Sequence, residues 1–291
     1  MPEAGDPAAG DPAAGASAAG ASGAAVPVIA VASGKGGVGK TTAAVNLALA
    51  LTAGGVRTGL VDADLYGPDA AHMMGLRRQR EAAHLTVFAP RGAAAERLQA
   101  VERHGVQLAS AAFLMGESQG LGIGAPIAEL LVHRLISGTQ WADLDCLVVD
   151  LPPGTADVQQ LVFGLRRRRT FVLLVVTPQV VAHRDAHRLL DSLGRGQAVI
   201  LGGIENMAGQ VCPSCGETTA LFPPAPPDEA IWTKVPRLAS VPFSARAAQD
   251  ADRGQPVMVT RAVPQQVAAY EQVAGEVRDA LRSGGQRPGL N

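Results

Sequence analysis

The chain has 291 residues, 47% of them hydrophobic, which is ample for a folded core. A formal net charge of −1 and an aromatic content of 3% give no support for a nucleic-acid-coating surface or a base-stacking platform. No apolar run approaches the ~18 residues of a membrane span, and the N-terminal region lacks the pattern of a secretory signal. Three cysteines do not make a disulfide framework. We therefore expect a cytoplasmic protein that binds neither nucleic acid nor membrane.

Residues 1–25 differ in composition from the rest of the chain. They consist of Ala, Gly, Pro, Ser and a few acids, and the hexapeptide Gly-Asp-Pro-Ala-Ala-Gly occurs at 5–10 and again at 10–15. Such a segment lacks the large apolar side chains that would offset the entropy of ordering it. We predict a disordered tail over 1–25, followed by one folded domain over 26–291.

A glycine-rich motif follows the first predicted strand, Val26–Ala32. Residues 34–42 read Gly-Lys-Gly-Gly-Val-Gly-Lys-Thr-Thr, which fits the P-loop pattern G-x-x-x-x-G-K-[ST], and a helix is predicted from Thr41 to about Ala53. Glycines let backbone N–H groups surround phosphates, and the helix N-terminus adds positive charge there. The motif assigns Lys40 to the β- and γ-phosphates and Thr41 to Mg²⁺. The predicted nucleotide-binding residues in this loop are Gly34, Lys35, Gly36, Gly37, Val38, Gly39, Lys40, Thr41 and Thr42.

Further apolar runs alternate with helical patterns along the chain. The predicted strands lie at 59–62, 106–110, 144–150, 170–176 and 198–204. Short apolar strands separated by helices indicate an α/β fold, with a doubly wound, mostly parallel sheet and helices on both faces. The last helix, about Val263 to Leu281, carries an apolar stripe at helical spacing, which we interpret as facing the core.

Acidic residues follow two of these strands. Asp62 and Asp64 come at the carboxyl end of one strand, where α/β folds bind ligands. Asp150 ends an apolar run in the manner of a Walker B aspartate that holds Mg²⁺. The stiff turn after it, Leu-Pro-Pro-Gly-Thr-Ala-Asp over 151–157, has the character of a switch loop whose Gly154 amide senses a γ-phosphate.

A cysteine pair, Cys212-Pro-Ser-Cys215, lies late in the chain. The spacing suits a redox pair, half of a zinc site or ligands of a cluster, and none of the six histidines lies close in sequence. Two thiolates are half of what a [4Fe–4S] cluster requires, and a symmetric dimer supplies the other half. Cys146 lies within the Walker B strand and is interpreted as a buried apolar residue.

Together these motifs resemble the Mrp/ApbC family of iron–sulfur cluster carrier ATPases, over nearly all of the chain from Val28 to about Val259. The shared segments are the P-loop with its second lysine, residues 61–68, 141–145 and 150–155, Thr177-Pro-Gln, Glu205-Asn-Met and the Cys212–Gly216 loop. The resemblance implies a homodimer that holds a labile cluster between two cysteine pairs and hands it to apo iron–sulfur proteins. It also implies slow ATP hydrolysis coupled to that transfer.

The same resemblance suggests roles for individual residues. Lys35 reaches the partner's nucleotide across the dimer, and Asp64 positions the attacking water. Asp150 and Thr41 serve Mg²⁺, and Asn206 faces the adenine. The cysteines Cys212 and Cys215 bind the cluster, expected to be a [4Fe–4S] cluster shared across the dimer.

An alternative remains at this point. A MinD- or ParA-type positioning or regulatory ATPase shares the P-loop part of the pattern, with cysteines that bind zinc or are vestigial. The chain also departs from the carrier family at Asp69, where Ser is usual, at Ala156, where Gly is usual, and at the proline-rich loop 223–227.

Overall fold

The computed structural model describes residues 26–76, 98–114, 125–154, 157–163, 165, 168–193 and 198–284. The predicted tail over 1–25 and two switch-turn residues, Thr155 and Ala156, lie outside the described residues. No helix in these ranges is long and apolar enough to cross a membrane.

The strands that form the middle of the sheet are short and buried along their whole length, as expected for strands covered on both faces. The strands are β1 Val28–Ala32, β2 Thr58–Asp62, β3 Leu98–Gln99, β4 Val101–Arg103, β5 Val106–Ser110, β6 Thr139–Gln140, β7 Cys146–Asp150, β8 Thr170–Val176, β9 Val199–Val211, β10 Thr218–Thr219 and β11 Arg237–Phe243.

Helices follow the strands β1, β2, β5, β7, β8 and β11. They are α1 Lys40–Ala53, α2 Ala70–Met73, α3 Ala125–Ser137, α4 Asp157–Phe163, α5 Val180–Leu193, α6 Ala245–Asp252, α7 Val257–Thr260 and α8 Pro264–Ser283. Short 3₁₀ helices lie at Ala111–Leu114 and Ile231–Thr233.

Within the described residues, nine strands form one sheet in the order β10-β9-β8-β1-β7-β2-β5-β4, with β11 paired to β9. The pairings are parallel, except that β4 runs antiparallel to β5 and β10 antiparallel to β9. The strands β3 and β6 form a separate parallel pair. The predicted mostly parallel α/β sheet is confirmed. The antiparallel edges and β11 were not predicted.

Two apolar layers sandwich the sheet. Along β1, Ile29 and Val31 face the layer built with α1, α6, α7 and α8, whereas Val28, Ala30 and Ala32 face the layer built with α3, α4 and α5. This alternation is the period of two that a strand imposes on its side chains. The predicted stripe of α8 lies in the first layer, with Val267, Tyr270, Val273 and Val277 all buried, so its interpretation as a core face is confirmed.

The strand register places the predicted site residues together at the carboxyl ends of the central strands. β1 and β2 both flank β7, and Asp62 pairs directly with Asp150 across β2 and β7. Val31 pairs with Asp150 on the other side, three residues before Gly34, where the P-loop begins. The carboxyl ends of these three strands therefore meet where α/β sheets bind ligands.

Candidate functional site

The P-loop connects β1 to α1 and lines a pocket of about 200 Å³. Gly37 and Gly39 adopt positive φ angles of 78° and 83°, which L side chains rarely reach, so glycine is required for the loop to turn its amides inward. The lining residues are Ser33, Lys35, Gly36, Gly37, Gly39, Lys40, Thr41, Thr42, Asp64 and Pro153. The predicted loop residues Gly34 and Val38 are not part of this lining.

Lys40 is buried among carboxylates. Its Nζ lies 2.6 Å from Asp150 Oδ1 and 4.0 Å from Asp64 Oδ2. Burial raises the pKa of the Asp150 carboxyl, and the charge of Lys40 and its hydrogen bond oppose that shift. The residue predicted to meet the phosphates therefore neutralises the predicted Walker B aspartate in this structure.

The second carboxylate oxygen of Asp150 is suited to a cation. Oδ2 is buried and accepts no hydrogen bond from the described residues, while the nearby Thr41 hydroxyl lowers the pKa of the same carboxyl. A buried oxygen without a donor has a desolvation cost that a bound cation removes. The pair of Thr41 and Asp150 therefore fits Mg²⁺.

Asp62 belongs to the same cluster, although the sequence reasoning assigned it no specific role. Its Oδ2 accepts hydrogen bonds from Ser110 Oγ at 2.9 Å and from the Ala70 N–H at 3.1 Å. Full burial, and then the charge of Asp150, raise its pKa to about 8. The signal that Asp62 belongs to this cluster was its position as the last residue of a strand. That signal can be interpreted only once the strand order is known, because the order places β2 beside the Walker B strand.

The predicted switch turn contacts the P-loop directly. The Gly154 N–H, expected to sense a γ-phosphate, donates to the Ser33 carbonyl at 3.1 Å. Ser33 in turn donates from its hydroxyl to the Lys35 carbonyl at 3.0 Å. The Gly154 amide is therefore already paired with Ser33, and any other acceptor has to compete with that carbonyl.

Asn206 lies on the opposite side of the P-loop from this turn. Its Nδ2 donates to the Val38 carbonyl at 2.8 Å, and the side chain is packed so closely on Gly39 that a Cβ there would clash with Nδ2. A second pocket of about 250 Å³ begins at this point and shares Gly39 and Thr42 with the first. Its walls include Asn206, Met207, Pro242, Phe243, Ser244 and Tyr270.

The two cysteines lie in a turn between β9 and β10. The Cys212 N–H donates to the Glu217 carbonyl, and the Gly216 N–H donates to the Cys212 carbonyl at 2.9 Å. Hydrogen bonds from the backbone of Cys215, and then of Ser214, lower the pKa of the Cys212 thiol. A turn whose amides face a thiolate is suited to holding a soft metal or cluster.

The turn does not form a complete metal site by itself. Within the described ranges, no three or more His, Cys, Asp or Glu side chains are grouped as metal ligands. Cys146, by contrast, is buried in β7, and burial raises the pKa of its thiol to about 12. The prediction that Cys146 is a buried apolar residue, separate from the cysteine pair, is confirmed.

Glu205, which precedes Asn206, is a buried carboxylate to which the sequence analysis assigned no role, although it names the segment Glu205-Asn-Met. It accepts hydrogen bonds from Trp232 Nε1, Arg237 Nη1 and Ser240 Oγ at 3.2, 2.7 and 3.2 Å. Its charge within a strand that has no other charged residue was the available signal, but its partners are 27 to 35 residues away in sequence.

A family model described as NUBPL iron-transfer P-loop NTPase, of the ParA group, matches residues 25–278. The chain belongs to this family. It is 36% identical over 255 residues to the iron–sulfur cluster carrier protein of Haemophilus influenzae, covering 87% of this chain and 66% of that protein. It is 37% identical over 242 residues to the carrier protein of Deinococcus radiodurans, covering 83% of this chain and 65% of that protein. The chain thus spans about two thirds of these relatives' length.

Solved structures of the same fold include other nucleotide-binding proteins. A nucleotide-binding protein from Archaeoglobus fulgidus in complex with ADP is 29% identical, with a TM-score of 0.61, covering 84% of this chain and 91% of that chain. The cell division ATPase MinD of Pyrococcus furiosus is 20% identical, with a TM-score of 0.59, covering 87% and 98%. The similarity to MinD, at 20% identity, shows a shared fold and nothing further.

Proposed function

We propose that the chain is an ATP-binding iron–sulfur cluster carrier that acts as a homodimer in the cytoplasm and hands its cluster to apo iron–sulfur proteins. The observation that carries the proposal is that one strand serves both sites. Asn206 of β9 contacts the P-loop, and β9 ends at Val211, next to Cys212. The iron-transfer family and the names of the relatives support the choice of cargo.

The phosphates of ATP bind in the pocket of the P-loop. Lys40 exchanges its contact with Asp150, 2.6 Å away, for the β- and γ-phosphates. Thr41 and Asp150 hold Mg²⁺, which neutralises part of the phosphate charge when it is bound. Asp64, 4.0 Å from Lys40, orients the water that attacks the γ-phosphorus and releases ADP and phosphate.

Two further residues complete the nucleotide site in this proposal. Asn206 and the adjoining 250 Å³ pocket receive the adenine, because this pocket opens directly beside Gly39. Lys35 lines the phosphate pocket from a partly exposed position and reaches the nucleotide of the partner subunit. Hydrolysis is slow and serves to change conformation.

The cluster is bound as cargo by Cys212 and Cys215. Cys215 is exposed and Cys212 partly so, which leaves both sulfurs accessible to a second subunit. Four thiolates around a two-fold axis match the requirement of a [4Fe–4S] cluster. A cluster held at the surface is readily passed on, as a carrier requires.

The nucleotide part is tested with two variants. Lys40→Ala removes the charge that meets the phosphates, so ATP affinity measured by calorimetry should fall steeply. Asp64→Asn should retain ATP and lose single-turnover hydrolysis, because Asp64 contacts the water and not the phosphates. Unchanged ATP binding in the first variant, or parental turnover in the second, contradicts the assigned role.

The cargo part is tested by anaerobic reconstitution followed by iron counting and mass measurement. We expect the visible absorbance of a thiolate-ligated cluster, about two irons per chain and a dimer. Cys212→Ala or Cys215→Ala should abolish the colour, and Cys146→Ala should not.

The same reconstitution decides between the carrier and the alternative. If the parent binds only zinc, or if the double variant at Cys212 and Cys215 keeps its iron, the carrier assignment fails. A MinD- or ParA-type regulatory ATPase then takes its place.

A further inference from the structure

The carboxylate of Glu205 forms hydrogen bonds at the point where the segment that carries the cysteines begins and ends. We call residues 208–231 the cysteine arm. It comprises the last four residues of β9, the cysteine turn, β10 and the proline-rich loop, and it ends one residue before Trp232 of the 3₁₀ helix Ile231–Thr233. Trp232 Nε1 donates to Glu205 Oε1 at 3.2 Å, across the base of this arm. Arg237 and Ser240 of β11 donate to the other oxygen of Glu205. Glu205 of β9 therefore joins Trp232, the residue after the arm, to β9 and β11.

The residue next to Glu205 is bound to the nucleotide loop. Successive side chains of a strand point to opposite faces, so Asn206 projects away from Glu205 and donates to the Val38 carbonyl at 2.8 Å. Two consecutive residues of β9 thus hold the arm on one face and the P-loop on the other. A movement of the P-loop against Asn206 shifts the same stretch of backbone that anchors the arm.

Met207 follows Asn206 and immediately precedes the arm. Its φ angle is 56°, in the left-handed region that residues other than glycine avoid. Its surroundings have to hold it there against the steric preference of the backbone. Met207 also lines the second pocket beside the P-loop. The course of β9 beyond the irregularity in its pairing with β11 is therefore set by a residue that lines the proposed nucleotide pocket.

The returning half of the arm is also held by an element that contacts the P-loop. The Ile231 N–H donates to His183 Nδ1 at 3.1 Å, and Arg184 forms an ion pair with Glu229 at 2.6 Å. The next residue of α5, Asp185, has its backbone packed against Gly34 so closely that a Cβ on Gly34 would clash with it. Both ends of the arm are thus attached beside the nucleotide loop.

We propose that Glu205 is a positioning residue that transmits nucleotide occupancy to the cysteine pair, through its hydrogen bond with Trp232 and its neighbour Asn206. The proposal rests on the proposed function, since it names the connection between the two sites. Because binding linkage is reciprocal, the factor by which a bound cluster changes ATP affinity equals the factor by which ATP changes cluster affinity. Glu205 touches neither ATP nor cluster, so its loss should alter this factor and leave each separate binding event in place.

The coupling factor is measured as the ratio of ATP affinities of the cluster-loaded and cluster-free protein. For the parent we expect a ratio about 5- to 150-fold away from one, as is usual for coupled sites. Glu205→Gln retains the shape and one acceptor oxygen, and Trp232→Phe removes the N–H donor together with part of the indole ring. Both should bring the ratio close to one, with parental ATP affinity in the cluster-free form and parental iron content. Trp141→Phe is the matched control, because Trp141 Nε1 donates to Ile136 O at 3.1 Å, away from the arm.

The fluorescence of Trp232 reports on the connection between the P-loop and the arm without a bound cluster. The chain has two tryptophans, so Trp141→Phe leaves Trp232 as the only one. Trp232 packs edge-on against His183, with ring centroids 5.6 Å apart. Addition of ATP should shift its emission, and Glu205→Gln in the same background should abolish the shift. A merely structural role for Glu205 would lower the melting temperature and leave the shift intact.

The outcomes separate the inference from the function on which it rests. A parent ratio of one, or parental ratios in both Glu205→Gln and Trp232→Phe, overturns the inference alone. If Glu205→Gln fails to fold, Trp232→Phe decides. A parent that binds no iron at Cys212 and Cys215 overturns the proposed function, and the inference with it.

Discussion

At the scale of single residues, Lys40 lies between the carboxylates of Asp150 and Asp64. Its exposed fraction is 6%, and the Asp150 carboxylate 2.6 Å away is fully buried. A buried ion pair contributes little net stability, but removal of one partner leaves an uncompensated charge. Lys40 therefore has a structural role in the nucleotide-free protein in addition to its proposed role toward phosphates.

This arrangement predicts a stability effect that does not involve ATP. Lys40→Met should lower the free energy of unfolding by about 3 kcal/mol, because Asp150 loses its partner. Lys40→Met combined with Asp150→Asn should recover most of that loss, since no buried charge remains. The exposed Lys234→Met is the control and should change the unfolding free energy by less than about 0.5 kcal/mol. Urea unfolding without nucleotide measures all three, and additive losses in the double variant would contradict the pairing.

The cysteine turn makes a prediction about reactivity. Backbone hydrogen bonds from Cys215 and Ser214 lower the pKa of the Cys212 thiol from its ordinary value of 9.0, so a larger fraction of Cys212 is thiolate at neutral pH. The pH profile of Cys212 alkylation in the folded chain should have its midpoint below that of Cys212 in urea. Peptide mass spectrometry follows Cys212 and Cys146 in one sample, and the buried Cys146 should stay unmodified. Equal midpoints in folded and unfolded chains would show that the turn does not stabilise the thiolate.

At the scale of elements, the P-loop is packed against α5 as well as against β9. A Cβ on Gly34 would clash with the Asp185 carbonyl group, whereas a Cβ on Gly36 would meet nothing nearer than Pro153 at 3.8 Å. Neither glycine has a positive φ angle, so the difference between them is one of space alone.

Gly34→Ala should therefore displace the loop from α5 and lower the unfolding free energy by about 1–3 kcal/mol, as overpacking does. Gly36→Ala in the same loop should be close to neutral. Thermal unfolding of the nucleotide-free variants compares them directly. Equal melting temperatures would mean that the backbone of α5 yields to the added methyl group.

The elements also show what the sequence was able to predict. The strands β2, β5, β7 and β8 were recognisable because short apolar runs lie between helical patterns, and the P-loop because its motif is local. The contacts of Asn206 and Glu205 were not recognisable, because their partners come from distant parts of the chain. Val38 is 168 residues from Asn206 in sequence. The strand β11 was missed because Arg237 and Pro242 interrupt its apolar pattern.

At the scale of the whole molecule, the proposed cluster site is completed only when two chains meet. One chain offers two thiolates in a surface turn, with Cys212 partly exposed and Cys215 exposed. A ligand that bridges two subunits links their stability to protein concentration through mass action. The cluster-loaded protein should therefore behave differently on dilution from the same chain without cluster.

This dependence is the prediction for the assembled carrier. Each tenfold rise in protein concentration should favour the cluster-bridged dimer by about 1.4 kcal/mol, so the melting temperature of the loaded protein should rise with concentration. Cys212→Ser, taken through the same reconstitution, lacks the bridge and should show a smaller rise or none. Chelation of iron from the parent should reduce its slope to that of Cys212→Ser. A loaded protein whose melting temperature keeps the Cys212→Ser slope would place all ligands of the cluster within one chain, against the shared site on the two-fold axis.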